Sequence, residues 1–549
     1  MQQELDALFL VPPSYDEKNG PNYIPRENMG VSYLKSSLDN AGFDSEIIDA
    51  EYLNTSLEKL CNKIKEKSTR ILALSLIQES IPNAKLITDE IRSENKDIEI
   101  VAGGFAPTIS PANVLKALPA VDYLALGEGE DLIIDIIRRN RENFPVELLD
   151  AVAYRDKNSS EIKVKKAQKK PNLKTLPHPF RAFTFYDEDN CASIVSSRGC
   201  FGNCTFCCNE AFEMNVENPS YWRARDPEDV VDEIEDIYKK FATKIFKFND
   251  ANIFGPGLYG KNHIENLCDE LISRNLTDFH FMAFCRANAI DDKTASLMKK
   301  AGFERVILGI ESANQEILNK FRKNENIEDV KNLLNRLKKN KIDVVSGFMP
   351  FNPYTTINSL KTDLNFLQEQ RQYPELTNAL KIYDGTQIQF EMEDEGRLVY
   401  KDPLEGYHEY TVENELASLY KSLEALNNEW LVPFKKRLEN DFIELKKENT
   451  VKNRIKYEEL SAIIFDVENY FLRALISFQE NGFSRNDIRQ LLNLIRNRLL
   501  QIETYTLTNK KIFNKTPISG TFSTIHLTEK IFKLLKLKEY QTFTSTYYN

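Results

Sequence analysis

The chain of 549 residues has few histidines, no excess of positive charge and no long apolar run near its start. Only five histidines occur, and the first is His178. Lysine and arginine number 72 against 83 acidic residues, so the formal net charge is −11. Non-specific nucleic-acid binding depends on neutralising phosphates with Lys and Arg, which makes an acidic chain poorly suited to it. The composition therefore gives no clear indication of a nucleic-acid partner.

The start of the chain also lacks the features of a secretory signal. The segment MQQELDALFLVPPS carries acidic residues where a signal peptide has positive charge. Its apolar run, Ala7 to Val11, is too short for a signal core or a membrane span. We expect no membrane span and a cytoplasmic location. A Lys-rich stretch from Lys165 to Lys174 is interpreted as a solvated linker rather than a binding patch.

The eight cysteines do not have the spread of a disulfide framework. Four fall within nine residues, and the others are scattered along the chain. This pattern favours a reducing compartment and a metal site. A zinc knuckle, with Cys208 or a distant histidine as fourth ligand, is an alternative. Such sites usually supply two ligand pairs, and the downstream His263 and His280 lack paired spacing.

The first 140 residues alternate short apolar runs with amphipathic helical patterns. Five runs are predicted as strands: Leu5–Val11, Ser45–Ile48, Arg70–Leu76, Ile98–Ala102 and Val121–Leu126. Buried strands separated by helices predict an α/β fold with a flavodoxin-like, doubly wound parallel sheet. Ligands of such sheets bind at the carboxyl ends of the strands. Here those ends carry Gly103-Gly104 and Gly127-Glu128, although ordinary turns explain the glycines equally well.

Two further regions follow this sheet. Ala151–Val164 predicts a hairpin, which a Lys/Pro-rich linker follows. A second series of about six strand–helix units predicts a partial (β/α)6 barrel of the TIM type, whose last strand, near Leu380–Tyr383, is weak. From about Tyr407 the strand signals fade and helical spacing dominates. We predict four regions: 1–145, the doubly wound sheet; 146–185, hairpin and linker; 186–400, the partial barrel; and 401–549, a mostly helical domain.

The most specific motif lies at the start of the second series. The segment SRGCFGNCTFC places Cys200, Cys204 and Cys207 at spacings of four and three residues. Thiolates are the usual ligands of iron–sulfur clusters, which generally take four. With three, one iron of a four-iron cluster keeps an open coordination position. By analogy with zinc, an open position marks a centre that binds a substrate or cofactor.

This motif resembles that of the radical S-adenosylmethionine (SAM) superfamily, including the aromatic residue, Phe206, before the last cysteine. The resemblance implies a [4Fe-4S] cluster held by Cys200, Cys204 and Cys207, with Cys208 outside the ligand set. It also implies SAM on the open iron and a one-electron donor such as flavodoxin or ferredoxin. Reduction would cleave SAM to a 5′-deoxyadenosyl radical that abstracts hydrogen from an inert carbon.

Four downstream residues stand where the family binds SAM. Asp250, after the second barrel strand, is implied to contact the ammonium of the cofactor. Arg286, after the third strand, is implied to pair with its carboxylate. Glu311 and Ser312, in a Gly-Ile-Glu-Ser segment after the fourth strand, are implied to reach the amino group or the ribose. A charged residue at a strand end is by itself more often a surface ion pair, but these residues occur together and in order with the cysteines, which supports the resemblance.

The first region is similar to the cobalamin-binding domain of one subgroup of this family. The resemblance places Gly103, Gly104, Gly127 and Glu128 at the cobalamin. One departure affects the cobalt: no histidine precedes His178, so the domain offers no axial imidazole. The implied state is base-off, with no histidine ligand.

The resemblance leaves the reaction open. Methyl transfer to an unactivated carbon of a small-molecule or peptide substrate is the favoured hypothesis, with no catalytic side chain identified. A non-methylating radical reaction, such as cyclisation, ring contraction or epimerisation, is the first alternative. Methylthiolation would need a second cluster, and the first 190 residues hold only Cys61. The alternative of another class is a non-catalytic, metal-binding interaction protein.

Overall fold

The computed structural model describes residues 4–14, 27–53, 55–159, 161–182, 191–217, 221–287, 290–436, 450–509, 531 and 541–543. The boundary predicted between 185 and 186 and the end of the predicted last region at 549 lie outside the described residues. Within the described part of the chain, no helix combines the length and apolarity needed to cross a bilayer.

The first sheet has the predicted flavodoxin-like strand order. Its strands are β1 Ala7–Val11, β2 Ser45–Asp49, β3 Ile71–Ser75, β4 Glu99–Gly103, β5 Tyr123–Ala125, β6 Val152–Arg155 and β7 Ile162–Val164. The order is β2-β1-β3-β4-β5-β6-β7, and β1 to β5 are parallel. All five residues of β1 are buried, as expected of a strand covered on both faces.

Helices cover both faces of this sheet. They are α1 Met29–Asn40, α2 Ala50–Leu53, α3 Leu57–Lys65, α4 Ile81–Glu94, α5 Phe105–Ile109, α6 Pro111–Ala117 and α7 Glu130–Glu142. Side chains that precede the helices cap some of them: the Val31 N–H donates to Asn28 Oδ1 at 3.2 Å, and the Lys59 N–H donates to Ser56 Oγ at 3.4 Å. Two separate hydrophobic cores fill the two faces of the sheet.

The predicted hairpin is present, but it belongs to the first sheet. Strand β6 pairs antiparallel with β5, with Tyr123 opposite Tyr154, and β7 pairs with β6. The hairpin thus gives the edge of β5 a hydrogen-bonding partner, and the predicted division of the chain at residue 145 stays a prediction. The Lys-rich stretch is also not wholly solvated: the Lys170 ammonium is buried in an ion pair with the Glu213 carboxylate.

The second sheet lies in the barrel region. Its strands are β8 Cys191–Ile194, β11 Ile245–Phe248, β12 His280–Cys285, β13 Phe303–Glu311 and β14 Asp343–Phe348. The order β14-β13-β12-β11-β8 is parallel throughout. A two-stranded antiparallel ribbon, β9 Ser197–Gly199 with β10 Trp222–Ala224, follows β8. The weak sixth strand is reduced to isolated bridges, Phe351 with Ala379 and Ile382 with His408.

Helices alternate with the strands of this open barrel. They are α8 Cys208–Met214, α9 Pro227–Phe241, α10 Gly257–Ser273, α11 Asp292–Lys300, α12 Gln315–Lys320, α13 Ile327–Lys339, α14 Ile357–Gln370 and α15 Gln387–Asp394. Because the strands are parallel, their carboxyl ends meet at one edge, where the loops that carry the predicted site residues gather.

The C-terminal part is mostly helical, as predicted, and contains a small sheet that was not predicted. Its helices are α16 Asn414–Leu426, continued by a π-helical turn at Asn427–Leu431, α17 Thr450–Asn481 and α18 Arg485–Asn509. Strands β15 Leu398–Val399, β16 Glu409–Val412 and β17 Gln541–Phe543 form the sheet. Leu419, Phe471 and Leu492 belong to the same hydrophobic core as the barrel strands.

One buried carboxylate joins the first and last parts of the chain. Asp384 accepts hydrogen bonds from Ser110 Oγ and from Asn113 Nδ2, the latter at 2.6 Å, and lies 3.3 Å from His408 Nε2. Burial opposes ionisation of this group, but the hydrogen bonds from His408, Ser110 and Asn113 together lower its pKa to about 2.

We expect Asp384→Ala to lower the free energy of unfolding by about 2–4 kcal/mol, because it leaves buried donors without their acceptor. Since the folded-state pKa is depressed, this contribution is present above the ordinary value of 3.8 and is lost as the pH falls towards 2. Urea denaturation at pH 7 measures it. Asp39→Ala, which breaks the exposed Lys35–Asp39 pair, is the control and should cost less than about 1 kcal/mol. Equal effects of the two changes would contradict the prediction.

Candidate functional site

The cysteine loop leaves the barrel through the β9–β10 ribbon. Gly199 ends β9 with φ +84°, and a Cβ atom there would lie 2.1 Å from the backbone oxygen of Tyr221 in the neighbouring segment. Only glycine tolerates both the left-handed backbone and this close approach. The chain then turns through Cys200 to Cys207, and α8 begins at Cys208.

The three thiols of the motif lie close enough to interact electrostatically. The Gly202 N–H donates to Cys200 Sγ at 3.4 Å, and Asn209 Nδ2 donates to Cys207 Sγ at 3.8 Å. Burial raises the pKa of the Cys207 thiol to about 11, and Cys204 and Cys200 add to the rise. Cysteine thiolates are the usual ligands of iron–sulfur clusters, so these three residues are a donor set that fits a multi-iron cluster, whose positive charge would offset the thiolates.

Cys208 differs from the three motif cysteines in its surroundings. Burial raises the pKa of its thiol strongly, and Cys207 and then Glu79 of the first domain add to the rise. The prediction that Cys208 stays outside the ligand set remains a prediction.

The geometry does not favour the zinc alternative. His263 packs edge-on against Trp222, and His280 Nδ1 lies 2.8 Å from Glu304 Oε1. Burial lowers the pKa of His263 to about 4. Both histidines are therefore engaged elsewhere in the barrel.

Arg286 lies beside the cysteine loop, as its position in the sequence predicted, but its contacts are with the chain itself. Its Nη1 donates to Cys204 Sγ at 3.3 Å, and its Nη2 donates to the Lys323 carbonyl and lies 3.3 Å from Glu325 Oε1. A Cβ at Gly202 would lie 2.2 Å from Nη1, so this glycine makes room for the guanidinium. The implied pairing with the cofactor carboxylate stays a prediction.

Glu311 faces the same place from the end of β13. Its Oε1 lies 3.7 Å from Lys323 Nζ, which donates to the Gly309 carbonyl at 2.9 Å. Burial raises the pKa of Glu311, and the nearby Lys323 ammonium opposes the rise. Its backbone has φ +68°, which is unusual for a non-glycine residue and marks a constrained position. Lys323 and Glu325 were missed in the sequence because they follow α12, outside any strand end.

Asp250 and Ser312 are buried and bonded to the protein. Asp250 accepts from the Ser196 N–H at 2.8 Å and from the Ser196 and Ser197 hydroxyls at 2.5 and 2.7 Å, which fixes the chain just before the cysteine loop. Ser312 Oγ donates to Asp363 Oδ1 at 3.0 Å, which ties the end of β13 to α14. Neither side chain is directed at an open site, and their implied contacts with SAM stay predictions.

The buried Asp363 carboxyl should make the free energy of unfolding depend on pH. Burial raises its pKa from 3.8 to about 7, although hydrogen bonds from the Ala313 N–H and Ser312 oppose the rise. A raised folded-state pKa means that the folded chain holds the proton more tightly, so stability is lost as the pH rises between these values, by up to about 1.4 kcal/mol per pH unit. We expect Asp363→Asn to match the parent chain near pH 4 and to exceed its stability above pH 7. Urea denaturation across this range tests it, and parallel curves would contradict it.

A cavity of about 590 Å³ opens between the first sheet and the cysteine loop. Gly103, Gly104, Gly127 and Glu128, the four residues predicted to contact cobalamin, all line it. A Cβ at Gly104 would lie 2.8 Å from the Leu76 carbonyl oxygen, and its φ is +103°. Gly127, with φ +78°, donates its N–H to Thr108 Oγ1 at 2.9 Å. The glycines therefore shape a concave wall that a large flat ligand can approach closely.

The far wall of the cavity comes from the barrel. Arg198 and Gly199 of β9 and Asn209 and Phe212 of α8 contribute to it. Phe212 packs against Phe105 of α5, with ring centroids 5.2 Å apart. The stretch that supplies the thiols thus also closes the cavity. Among the described residues that line the cavity there is no histidine, and the implied state without an axial imidazole stays a prediction.

The Glu128 carboxylate is used within the protein. Its Oε2 accepts from Arg198 Nη1 at 2.7 Å, and its Oε1 accepts from Arg223 Nη2. Glu130 Oε1 accepts from Arg198 Nη2 at 2.5 Å. Glu128 therefore lines the cavity, but its carboxylate is paired with Arg198 and Arg223 of the β9–β10 ribbon.

Comparison with known proteins matches two separate regions of the chain, both before residue 368. Residues 194–367 match the model of the radical SAM superfamily, and residues 26–137 match that of the B12 binding domain. A related protein is the anaerobic magnesium-protoporphyrin IX monomethyl ester cyclase of Rubrivivax gelatinosus, 27% identical over 333 residues. The match covers 58% of this chain and 58% of the cyclase. The chain thus spans less than two thirds of that relative's length.

Two solved structures share the fold. The cobalamin-dependent S-adenosylmethionine radical enzyme OxsB, with aquacobalamin and SAM bound, superposes with a TM-score of 0.74 at 19% identity, covering 96% of this chain and 84% of OxsB. The radical SAM methyltransferase TsrM from Kitasatospora setae, with tryptophan substrate and a SAM analog bound, has a TM-score of 0.59 at 16% identity and covers 71% of this chain and 76% of TsrM.

The domain matches agree with the geometry. The B12-binding match contains the glycine-lined cavity wall, and the radical SAM match contains the three cysteines and Arg286. The chain therefore belongs to the radical SAM enzymes that carry a B12-binding domain, whose cofactors are a [4Fe-4S] cluster, SAM and cobalamin.

Proposed function

We propose that this enzyme transfers a methyl group to an unactivated carbon of a small-molecule or peptide substrate. The observation that carries the proposal is the shared wall between the cavity and the cysteine loop, built by Arg198, Gly199 and Asn209. A methyl donor and a hydrogen-abstracting group must reach the same substrate carbon, which requires their sites to be adjacent.

The chain's own residues would bind and position the reacting groups. When bound, the cluster and SAM supply a radical that removes a hydrogen atom, and methylcobalamin supplies the methyl group. Cys200, Cys204 and Cys207 would hold the cluster, and the Arg286 guanidinium beside Cys204 offsets negative charge there. Asp250 keeps the preceding chain in place through Ser196 and Ser197.

The methyl-transfer assignment draws support from TsrM, which is described as a methyltransferase. The cyclase relative favours a second candidate, a non-methylating radical reaction on the same scaffold, such as cyclisation. Methylthiolation has less support, because Cys61 is buried in the core of the first domain with Leu60 and Ile64.

Product counting separates the two candidates. The chain is reconstituted anaerobically with iron, sulfide and cobalamin, then incubated with SAM, reduced flavodoxin and a metabolite extract of the source cells. Methyl transfer by this route requires both 5′-deoxyadenosine and S-adenosylhomocysteine, and a product heavier by one methylene. We expect both nucleosides to rise with added extract. Formation of 5′-deoxyadenosine without S-adenosylhomocysteine would exclude methylation and leave the second candidate.

A further inference from the structure

A cluster of four charged side chains and one tyrosine joins the cavity to the β9–β10 ribbon, which precedes and follows the cysteine loop. It consists of Arg198, Arg223, Glu128, Glu130 and Tyr33, and is called here the Arg198 clamp. Besides its two carboxylate contacts, the Arg198 guanidinium carbon lies 4.9 Å from the centre of the Tyr33 ring. Arg223 stands opposite Arg198 in the β9–β10 ribbon and holds the other oxygen of Glu128.

The clamp is shielded from water. The exposed fractions of the side chains are 18% for Arg198, 11% for Glu128 and 5% for Glu130. Removing one partner from a buried charge group leaves the other uncompensated, which is strongly unfavourable. The clamp therefore ties the loop after β5 to the β9–β10 ribbon.

The position of the clamp connects the two cofactor sites. On the cavity side, Glu128 follows Gly127, and both residues line the cavity. On the barrel side, Arg198 lies two residues before Cys200, and it also lines the cavity. A ligand that fills the cavity would pack against Glu128 and Arg198 of the clamp. A cluster bound to Cys200 would fix the end of β9, the strand that carries Arg198.

We infer that the Arg198 clamp makes the binding of cobalamin and the binding of the iron–sulfur cluster interdependent. Each cofactor favours the clamped arrangement of the two loops, so each raises the affinity of the chain for the other. Linkage requires this effect to be the same in both directions. The inference rests on the two cofactors and not on methyl transfer, so it is independent of which radical reaction the enzyme catalyses.

The test measures the dissociation constant of aquacobalamin by visible absorbance, with and without a reconstituted cluster. For the parent chain we expect the cluster to tighten cobalamin binding about tenfold, within the range usual for coupled sites. Arg198→Met should abolish the difference. Glu130→Gln, which removes the charge of one arm of the clamp and keeps the shape of the side chain, should reduce it and serves if Arg198→Met does not fold.

Arg141→Met is the matched control. Arg141 lies at the other end of the helix that starts with Glu130 and forms a bidentate pair with Asp6, away from the cavity. This variant should keep the full coupling. Equal cobalamin affinity with and without the cluster in the parent chain would overturn the inference, as would full coupling in both clamp variants. Failure of methyl transfer would appear only in the product assay and would leave these affinities unchanged.

Discussion

Replacing Cys204 with alanine is expected to leave the chain with close to no bound iron, against about four irons per chain for the parent protein. Cys204 is buried, and its thiol lies within the same electrostatic group as Cys207. With only two motif cysteines left, the cluster lacks one of its three protein ligands. Iron and sulfide analysis after anaerobic reconstitution, together with the absorbance near 400 nm, measures the loss.

Cys208→Ala is the matched control for this experiment. Cys208 adjoins Cys207 and is also a free thiol, so the variant has the same composition and differs only in position. We expect it to keep its iron and its absorbance. Iron retained by Cys204→Ala but lost by Cys208→Ala would reverse the ligand assignment. Zinc in place of iron in the parent chain would favour the non-catalytic interpretation.

The second large effect is expected at Gly199. In Gly199→Ala the new Cβ would meet the Tyr221 carbonyl oxygen at 2.1 Å, and the residue would keep φ +84°. The neighbouring atom is backbone and cannot rotate away, so the β9–β10 ribbon has to separate. We expect the free energy of unfolding to fall by about 2–5 kcal/mol, and iron incorporation to fall with it. Urea denaturation and iron analysis measure the two effects.

Gly42→Ala separates backbone strain from the clash. Gly42 has φ +79°, close to that of Gly199, but nothing lies within 4 Å of its would-be Cβ. The cost there should be the left-handed backbone alone, about 1–2 kcal/mol, with iron content unchanged. The prediction for Gly199 fails if the two variants are equally stable and equally able to bind iron.

The sequence was sufficient for the architecture where local pattern and physical constraint agree. Continuous apolar runs separated by amphipathic helices predicted the first five strands, and β1 and β3 lie within one or two residues of the predicted bounds. The cysteine motif could also be located, because its residue types and spacing suit few other roles, whereas ordinary turns explain the glycines after β4 and β5 equally well. All four residues predicted for cobalamin line one cavity.

Side-chain direction at the strand ends could not be predicted in the same way. Asp250 follows β11, but its partners, Ser196 and Ser197, follow β8, and only the pairing of Phe248 with Ile194 brings them together. Lys323 reaches the site because α12 ends beside the cysteine loop, a long-range contact with no local signal. The tertiary fold, rather than the motif, decides which polar groups are already occupied.

The small C-terminal sheet was missed for a related reason. Strand β15 has two residues and β16 has four, too few for a clear alternating pattern. Their partner β17, Gln541–Phe543, is distant in sequence, so the pairing of Tyr410 with Phe543 leaves no local trace. The predicted sixth barrel strand does not form a ladder, because Ala379 pairs with Phe351 through a single isolated bridge.

The β6–β7 hairpin also protects the edge of the first sheet against aggregation with other copies of the chain. A sheet that ended at β5 would expose the unpaired backbone N–H and C=O groups of that strand, and a strand of another chain could pair with them. Instead the outermost strand is the three-residue β7, whose Lys163 is exposed and pairs with Glu161 at 2.6 Å. A short, charged rim of this kind resists further strand addition. The sheet of the first domain is therefore protected, on the β5 side, against pairing with a strand of another chain.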